Sequence, residues 1–241
     1  MPVLPAKLLR IKKLKENMKN SKPCNFLKKE SPQAILFDMD GVLVDSMPYH
    51  FISWFETLKH YRIRVSPNDI YTREGEQSRK SVAEFFALAN LPITEALATE
   101  VLIRRDEAFN KLFTPFLFEG AVELVNLLKN QGYLLAVVTG SSLRKAKKIL
   151  PKRLYDSFDT IVAGDMVKHG KPHPEPYLMA AKKLNVKPSK CLVIENAPYG
   201  IKSAKAAKMY CIAVQTSLPA KYLKEADKVV SDLNKIYNCF K

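Results

Sequence analysis

The sequence predicts an α/β protein in which a doubly wound parallel sheet carries an inserted all-helical domain. Two observations predict this fold. Short apolar runs alternate with helical patterns along most of the chain, as they do in sheets whose parallel strands are joined by helices. One stretch, residues 47–117, breaks the alternation because it contains helical patterns and no strand-like run.

The strands of the sheet are predicted from short apolar runs that are typical of strands buried on both faces. These runs are 34–37, 134–138, 160–163, 191–194, 211–214 and 228–230. The helices predicted between them are 121–129, 143–150, 175–184 and 199–207. Ligands of such sheets bind beyond the carboxyl ends of the strands, and Asp38, Thr139 and Glu195 fall at those ends.

The inserted stretch is too long for a single crossover between neighbouring strands. It is predicted to form three or four helices, for example over 51–60, 79–89 and 95–113, with hinges near 42–48 and 114–119. We therefore predict a basic N-terminal extension (1–30), a core domain (31–46 and 118–241) and a helical cap domain (47–117). A cap beside the strand ends is well placed to act as a lid.

The charge of the chain is unevenly distributed. The 241 residues carry a formal net charge of +15, and residues 1–30 hold nine Lys/Arg and two Glu, which gives +7 and leaves +8 for the rest. This basic tail is predicted to be either an amphipathic helix that touches a membrane surface or partner, or a disordered extension, and its partner is unknown. A positive balance also favours anionic substrates.

Several functional classes are disfavoured by the sequence. No strip of alternating aromatic and basic residues suggests a specific nucleic-acid partner. No apolar run has the roughly 18–20 residues of a transmembrane segment, and no secretory signal is recognisable. The four cysteines lack zinc or C-x-x-C spacing, so we expect a cytoplasmic protein.

The strongest chemical signal is Asp38-Met39-Asp40-Gly41 directly after the first predicted strand. A carboxylate can attack phosphorus, and a second carboxylic acid can protonate the leaving oxygen. Gly41 allows the sharp turn that would aim both acids at one place. Taken alone, the pair could equally be a loop with capping aspartates.

Further motifs follow in order. Asp38 begins the run D-M-D-G-V-L-V-D-S, residues 138–142 read V-T-G-S-S, residues 170–177 read G-K-P-H-P-E-P-Y, and residues 193–201 read V-I-E-N-A-P-Y-G-I. This series resembles the motifs of the haloacid dehalogenase (HAD) superfamily over about residues 34–230. The helical insert after the first motif is similar to that of the branch with β-phosphoglucomutases and phosphoglycolate phosphatases.

The resemblance implies roles for four catalytic residues. Asp38 would be the nucleophile, and Asp40 the general acid and later the general base. Thr139, Gly140 and Ser141 would hold the phosphoryl oxygens, although Thr139 could instead cap the next helix. Lys171 would neutralise charge between Asp38 and the phosphoryl group.

The resemblance also implies a Mg²⁺ cofactor bound by Asp38, Asp40, Glu195 and Asn196. Many relatives have Glu-Asp where this chain has Glu195-Asn196, so one negative charge is absent. Glu74 could approach the metal from the cap, or it could be a solvated loop residue. His50 could contact the Asp40 region in the substrate-binding site, or it could serve packing only.

The sequence leaves three functions open. The first is a Mg²⁺-dependent phosphohydrolase that acts on a small phosphorylated metabolite or pyrophosphate through an aspartyl-phosphate. The second is a sugar phosphomutase of the β-phosphoglucomutase type. Mutases in this branch carry a Gly-x-Ser-Arg signature in the insert. Ser78-Arg79 is displaced by one residue from that signature, which weakens the phosphomutase hypothesis. The third is a non-catalytic binding protein on the same fold.

Overall fold

The structure is a computed structural model that describes residues 31–241. Within these residues six strands form one sheet in the order β3-β2-β1-β4-β5-β6, and every neighbouring pair is parallel. The strands are β1 (Ala34–Phe37), β2 (Leu134–Val138), β3 (Thr160–Val162), β4 (Cys191–Glu195), β5 (Tyr210–Val214) and β6 (Lys228–Val230).

The described helices lie in two groups. Those of the insert are α1 (Met47–Lys59), α2 (Pro67–Tyr71), α3 (Ser78–Leu88) and α4 (Glu95–Leu112). Those of the core are α5 (Ala121–Gln131), α6 (Leu143–Ile149), α7 (Lys152–Tyr155), α8 (Glu175–Leu184), α9 (Pro198–Ala206) and α10 (Leu233–Phe240).

The central strands β1 and β2 are apolar throughout, and β4 is apolar up to its last residue, because helices cover both faces of the sheet. Alternate residues of a strand point to opposite faces, so Ile35 and Phe37 join one hydrophobic cluster and Ala34 and Leu36 join the other. The first cluster includes side chains of α5, α6 and α10, and the second includes side chains of α8 and α9. The sheet therefore forms the middle layer of three.

The insert has a hydrophobic cluster of its own. Trp54 and Leu58 of α1 pack with Phe85 and Phe86 of α3 and with Val101 of α4. These residues recur at helical spacing, which turns one face of each helix inward. Three of the four helices begin with residues that favour a helix start. The side chains of Ser66 and Thr94 cap α2 and α4 by accepting hydrogen bonds from backbone N–H groups, and prolines stand in the first turn of α1 and α2.

The predicted fold class is confirmed, because a parallel sheet with an all-helical insert between β1 and β2 is what the structure contains. The predicted strands agree with the observed ones to within one residue at each end. Two described core helices, α7 and α10, were not predicted. Helix α7 is a single turn, which is too short to show a helical pattern in the sequence. Helix α10 could have been predicted, because its apolar residues Leu233, Ile236 and Phe240 recur at helical spacing.

Two further expectations concern membrane-spanning segments and the N-terminal extension. Between residues 31 and 241 there is no helix long and apolar enough to cross a membrane. The expectations for the basic extension, residues 1–30, lie outside the described residues.

Candidate active site

Three neighbouring strands bring the predicted site residues together. Asp38 follows β1, Thr139 follows β2 and Glu195 ends β4. The backbone N–H of Asp38 donates to the carbonyl oxygen of Ile194 at 2.9 Å, so the ladder between β1 and β4 extends to Asp38 itself. Because the carboxyl ends of parallel strands share one edge of the sheet, residues far apart in sequence meet there.

A buried ion pair lies at the centre of this edge. Lys171 Nζ donates to Asp38 Oδ1 at 2.5 Å and to Glu195 Oε1 at 2.7 Å. Its third hydrogen bond goes to the carbonyl oxygen of Val138 at 3.1 Å. The Tyr177 hydroxyl donates to Glu195 Oε1 at 2.8 Å, and the Tyr177 ring lies 5.0 Å from the ammonium. All three protons of the ammonium therefore have acceptors, which fixes its position.

The ion pair sets the charge of both partners. Burial raises the pKa of Asp38 above its ordinary value, and the Lys171 ammonium opposes that rise. Burial lowers the pKa of Lys171, but the charges of Asp38 and Glu195 outweigh burial and raise it. Lys171 therefore stays cationic at neutral pH and favours the ionised form of Asp38.

Asp40 is held by hydrogen bonds to both of its carboxylate oxygens. Oδ1 accepts from Ser46 Oγ at 2.6 Å and lies 3.1 Å from His50 Nε2. Oδ2 accepts from Thr139 Oγ1 at 3.2 Å and from Ser141 Oγ at 3.4 Å. Burial raises the pKa of Asp40, but the hydrogen bonds from His50, Ser46 and Thr139 outweigh it and bring the pKa to about 2. Asp40 is therefore ionised in this state.

His50 connects Asp40 to the cap. Arg105 Nη2 lies 2.6 Å from His50 Nδ1, and because a guanidinium can only donate, Nδ1 accepts and Nε2 carries the proton that points to Asp40. The His50 ring stacks on Phe109 with centroids 4.7 Å apart, and the Arg105 guanidinium lies 5.2 Å from the Trp54 ring. No sequence motif pointed to Arg105. Its basic side chain on the buried face of α4 was the only available signal.

Residues of the loop after β2 contact Asp40 and also cap helix α6. Ser141 N–H donates to Thr139 Oγ1 at 3.0 Å, and both hydroxyls point to Asp40. The cap of α6 is Ser142, whose side chain accepts from the backbone N–H of Lys145. Thr139 is therefore not the helix cap, which was the alternative that its sequence position allowed.

A loop of the helical insert closes over these residues. A Cβ atom on Gly140 would lie 2.8 Å from the carbonyl oxygen of Gly75. One on Gly75, whose φ is +84°, would lie 2.4 Å from Lys171 Cδ. Gly140 needs glycine because the backbone of Gly75 lies directly against it, and Gly75 needs glycine because of its positive φ and because the Lys171 side chain leaves no room for a Cβ atom.

Glu74 enters the site with this loop. One of its carboxylate oxygens, an Asp40 oxygen and a His50 nitrogen all lie within 4.8 Å of one another. Burial raises the pKa of Glu74, the nearby negative charge of Asp40 raises it further, and the Lys171 ammonium opposes the rise. The structure thus brings Glu74 and His50 to the predicted site, and their functional roles remain predictions.

The oxygen atoms at the strand ends fit a hard divalent cation. Asp38 Oδ2 and Asn196 Oδ1 are buried, and neither has a hydrogen-bond partner among the described residues. Asn196 is held by its amide, since Nδ2 donates to Ser217 Oγ at 2.9 Å. A carboxylate oxygen and an amide oxygen without donors are suitable ligands for Mg²⁺.

Glu195 differs from the other predicted metal ligands. Its Oε1 accepts from Lys171 and Tyr177, and its Oε2 accepts from the backbone N–H groups of Asn196 and Ala197 at 2.9 and 3.3 Å. These four hydrogen bonds use the acceptor capacity of the carboxylate. In this geometry Glu195 holds Lys171.

A cavity of about 470 Å³ lies between the insert and the core. His50 and Glu74 line it on one side, and residues 140–142 line it on the other. Because His50 and Ser141 both contact Asp40, the cavity leads to the buried carboxylates. Its size suits a small polar ligand.

Comparisons with known proteins agree with this geometry. Residues 32–208 match the family model described as "Hydrolase: haloacid dehalogenase-like hydrolase". The chain belongs to this family. The match confirms the family resemblance that the ordered motifs indicated.

Relatives in this family include enzymes of two kinds. The chain is 29% identical to validoxylamine A 7′-phosphate phosphatase of Streptomyces hygroscopicus subsp. limoneus, over 85% of this chain and 95% of the relative. It is 32% identical to a fructose-1-phosphate phosphatase of Escherichia coli K12, over 76% and 96%. A solved structure, a putative β-phosphoglucomutase from Bacteroides vulgatus, has a TM-score of 0.78 and 33% identity, over 95% of this chain and 97% of that one.

Proposed function

We propose that this HAD-family protein is a Mg²⁺-dependent phosphohydrolase that forms an aspartyl-phosphate on Asp38. One observation carries the proposal. Asp38 is buried with one oxygen on Lys171 and the other without a partner among the described residues, and a second carboxylate, Asp40, contacts His50 and Ser141, which line the cavity between the insert and the core. This pairing supplies a fixed nucleophile and a separate acid–base group.

The first half of the reaction transfers the phosphoryl group. An oxygen of Asp38 attacks phosphorus, the bond from phosphorus to the leaving oxygen breaks, and Asp40 gives that oxygen a proton. An entering phosphoryl group brings negative charge towards Asp40, which raises its pKa and lets it take up the proton that it donates. Lys171 offsets the charge that the phosphoryl oxygens carry in the transition state.

The second half restores the enzyme. Asp40, again a carboxylate, removes a proton from water, the water oxygen attacks phosphorus, and the bond between phosphorus and Asp38 breaks. Inorganic phosphate leaves and Asp38 regains its negative charge. The hydrogen bonds from Ser46 and His50 suit this step because they favour the ionised form of Asp40 before it acts as a base.

The metal would be held by the side chains of Asp38 and Asn196 and by the backbone carbonyl of Asp40. A bound Mg²⁺ supplies charge neutralisation and orientation for the phosphoryl oxygens. We propose that Glu195, which was expected to be a further ligand, acts instead by positioning Lys171, because its oxygens already accept four hydrogen bonds.

The substrate is proposed to be a small phosphorylated metabolite. The cavity volume of about 470 Å³ and the names of the phosphatase relatives, which act on phosphorylated sugars or sugar-like compounds, both favour this class. Pyrophosphate remains a candidate within it. The position of Glu74 beside Asp40 supports a compact ligand that brings its own metal, since an acidic group would repel a bare second anion.

The test is phosphate release from a panel of phosphorylated sugars, polyol phosphates and pyrophosphate, with Mg²⁺ and with a chelator. Asp38→Asn should abolish turnover because the amide is a poor nucleophile. Asp156→Asn makes the same chemical change on an exposed residue and should retain full activity. Turnover by Asp38→Asn within tenfold of the unaltered protein would refute the assignment.

A phosphomutase is the second candidate, favoured by the similarity to the putative β-phosphoglucomutase. A mutase needs a cationic group free to bind a second phosphate. Arg79, the residue nearest to the mutase signature, has its guanidinium on the carboxylate of Glu95 and on Thr99 Oγ1. Incubation with β-glucose 1-phosphate separates the two functions, because a mutase yields glucose 6-phosphate whereas a phosphatase yields glucose and phosphate.

A further inference from the structure

The loop that carries Lys171, residues 167–173, is in contact with the insert. Gln77 of the insert directs its amide at this lysine loop, and its Nε2 atom lies 3.3 Å from the carbonyl oxygen of Val167 and 3.4 Å from that of Lys168. A primary amide has two N–H groups, so one side chain can donate to both carbonyls. Gln77 thus joins the insert to the backbone just before Lys171.

The insert and the lysine loop also pack without a gap. A Cβ atom on Gly170 would lie 2.7 Å from Cγ of Gln77 and 3.3 Å from its backbone nitrogen. Gly75, two residues before Gln77, lies against the aliphatic part of the Lys171 side chain. Because close-packed groups transmit displacements to one another, the position of the insert constrains the position of the Lys171 ammonium.

The core also holds the lysine loop. The Glu175 carboxylate, at the start of α8, accepts hydrogen bonds from the backbone N–H groups of Lys168 and His169 at 2.8 and 2.9 Å. The core therefore bonds N–H groups of this segment, whereas the insert bonds its carbonyl oxygens through Gln77. Both sets of bonds exist together only while the insert lies against the core, as it does in this structure.

The side chain of Gln77 does not serve the helix that it precedes. Gln77 stands at the N-cap position of α3, yet among the described residues its side chain makes no capping hydrogen bond. Ser, Asp and Asn are much better N-caps than Gln, so the start of α3 gives no reason for a glutamine here. The contact with the lysine loop does give a reason, because it needs a long side chain that ends in a donor.

We propose that Gln77 is a positioning residue for Lys171: closure of the insert docks the Gln77 amide on the lysine loop, and this contact holds the ammonium at its working distance from Asp38. This inference rests on the proposed phosphohydrolase function and deepens it. A cation stabilises phosphoryl charge best when it is fixed in advance, so a small displacement of Lys171 should slow the reaction. Although Gln77 lines the cavity, this role is exerted through Lys171 and not on the substrate.

The experiment measures steady-state kinetics with Mg²⁺ and thermal unfolding for three variants. The substrates are p-nitrophenyl phosphate and the most rapidly hydrolysed member of the panel of phosphorylated compounds. Gln77→Met keeps the length of the side chain and removes the amide. It should lower kcat roughly 3–10-fold, as expected for the loss of one or two hydrogen bonds. KM should stay within about twofold, because the substrate keeps its own contacts.

Asn68→Leu is the matched control. Asn68 of α2 also bridges the insert to the core through a side-chain amide, but its Nδ2 atom lies 3.3 Å from the Tyr222 hydroxyl instead of the lysine loop. The substitution therefore removes an amide contact of the same length between the same two parts of the protein. It should leave kcat within about twofold of the unaltered protein.

Gln77→Glu separates positioning from helix structure. A carboxylate at the start of α3 is favoured by the helix dipole, so this variant should have a melting temperature no lower than that of the unaltered protein. The same carboxylate would face the carbonyl oxygens of Val167 and Lys168, and two acceptors cannot bond. It should therefore lower kcat more than Gln77→Met does, which a role in helix structure would not produce.

Three results would overturn the inference. The first is a kcat of Gln77→Met within about twofold of the unaltered protein, or of Gln77→Glu above that of Gln77→Met. The second is a loss of kcat that follows a loss of melting temperature, which would make Gln77 a structural residue. The third is a rise in KM for one substrate with kcat unchanged, which would make it a substrate contact. In each case Mg²⁺-dependent phosphate release by the unaltered protein leaves the proposed function intact, whereas its absence refutes both.

Discussion

Replacing Lys171 by methionine removes the cation at the centre of the site while keeping most of the side-chain volume. Lys171 is 2% exposed and makes hydrogen bonds to Asp38, Glu195 and the carbonyl oxygen of Val138. The change leaves two buried carboxylates without their counter-ion. We therefore expect a loss of stability as well as a loss of activity.

The magnitude follows from the burial of the pair. Removing one partner of a buried ion pair costs about 3–5 kcal/mol because the remaining charge is uncompensated. For a protein of this size, that corresponds to a fall of roughly 6–20 °C in melting temperature. The control Lys152→Met removes an ion pair with Asp156 in which Lys152 is 88% exposed, and it should leave the melting temperature nearly unchanged because solvent screens the pair.

The stability lost in the Lys171→Met variant should depend on pH. Burial raises the pKa of Asp38, and in the unaltered protein the Lys171 ammonium opposes this rise. The Lys171→Met variant lacks that charge, so the pKa of Asp38 should be higher in the variant. A carboxyl whose pKa is higher in the folded than in the unfolded state stabilises the fold at low pH and loses that contribution as pH rises through the folded pKa. The variant should therefore be most impaired near neutral pH and above, and approach the unaltered protein as pH falls towards about 4.

Thermal unfolding between pH 4 and pH 8 measures this effect. A second substitution provides a further check, because Lys171→Met combined with Asp38→Asn removes both charges of the pair and should be more stable than Lys171→Met alone. If Lys171→Met unfolds at the temperature of the unaltered protein, or if its deficit is the same at every pH, the argument from uncompensated charge is wrong.

Three further predictions concern catalysis and the N-terminal segment. Asp40→Asn should leave substrate binding largely intact and lower kcat by roughly 10²–10⁴-fold, measured with substrates whose leaving groups need protonation; near-normal turnover would contradict its acid–base role. Glu74→Gln should raise the Mg²⁺ concentration for half-maximal activity and slow the best small substrate more than p-nitrophenyl phosphate, and an unchanged Mg²⁺ titration would make Glu74 a bystander. Deleting residues 1–17 should leave the melting temperature and kcat unchanged, since the predicted core starts near Ala34, and a large fall in either would show that this segment supports the fold.

Much of the core could be predicted because its signals are local. A strand buried on both faces is a short apolar run, and this fixed β1, β2 and β6 to the residue. Asp38, Thr139 and Glu195 could be assigned to one edge of the sheet because the ends of parallel strands must meet there. The motif order then specified the family, which residues 32–208 confirm.

The roles of the polar residues depend on distances that the sequence does not contain. Glu195 stood next to Asn196 in a motif that implies metal binding, yet its oxygens accept from Lys171, Tyr177 and two backbone N–H groups. Lys171 lies 24 residues away from Glu195 in the chain. Only the folded arrangement decides which of the two adjacent side chains keeps a free oxygen.

The sequence by itself determined the sheet, the helical insert and the acidic motif, because hydrophobic periodicity and the order of motifs along the chain encode them. The tertiary structure alone decided that Arg105 fixes the tautomer of His50, that Glu74 lies beside Asp40, and that Lys145 and Arg105 share Asp106. Each of these contacts joins the insert to the core or one helix of the insert to another. Such contacts depend on the angle at which separate elements pack, and no local pattern of residues specifies that angle.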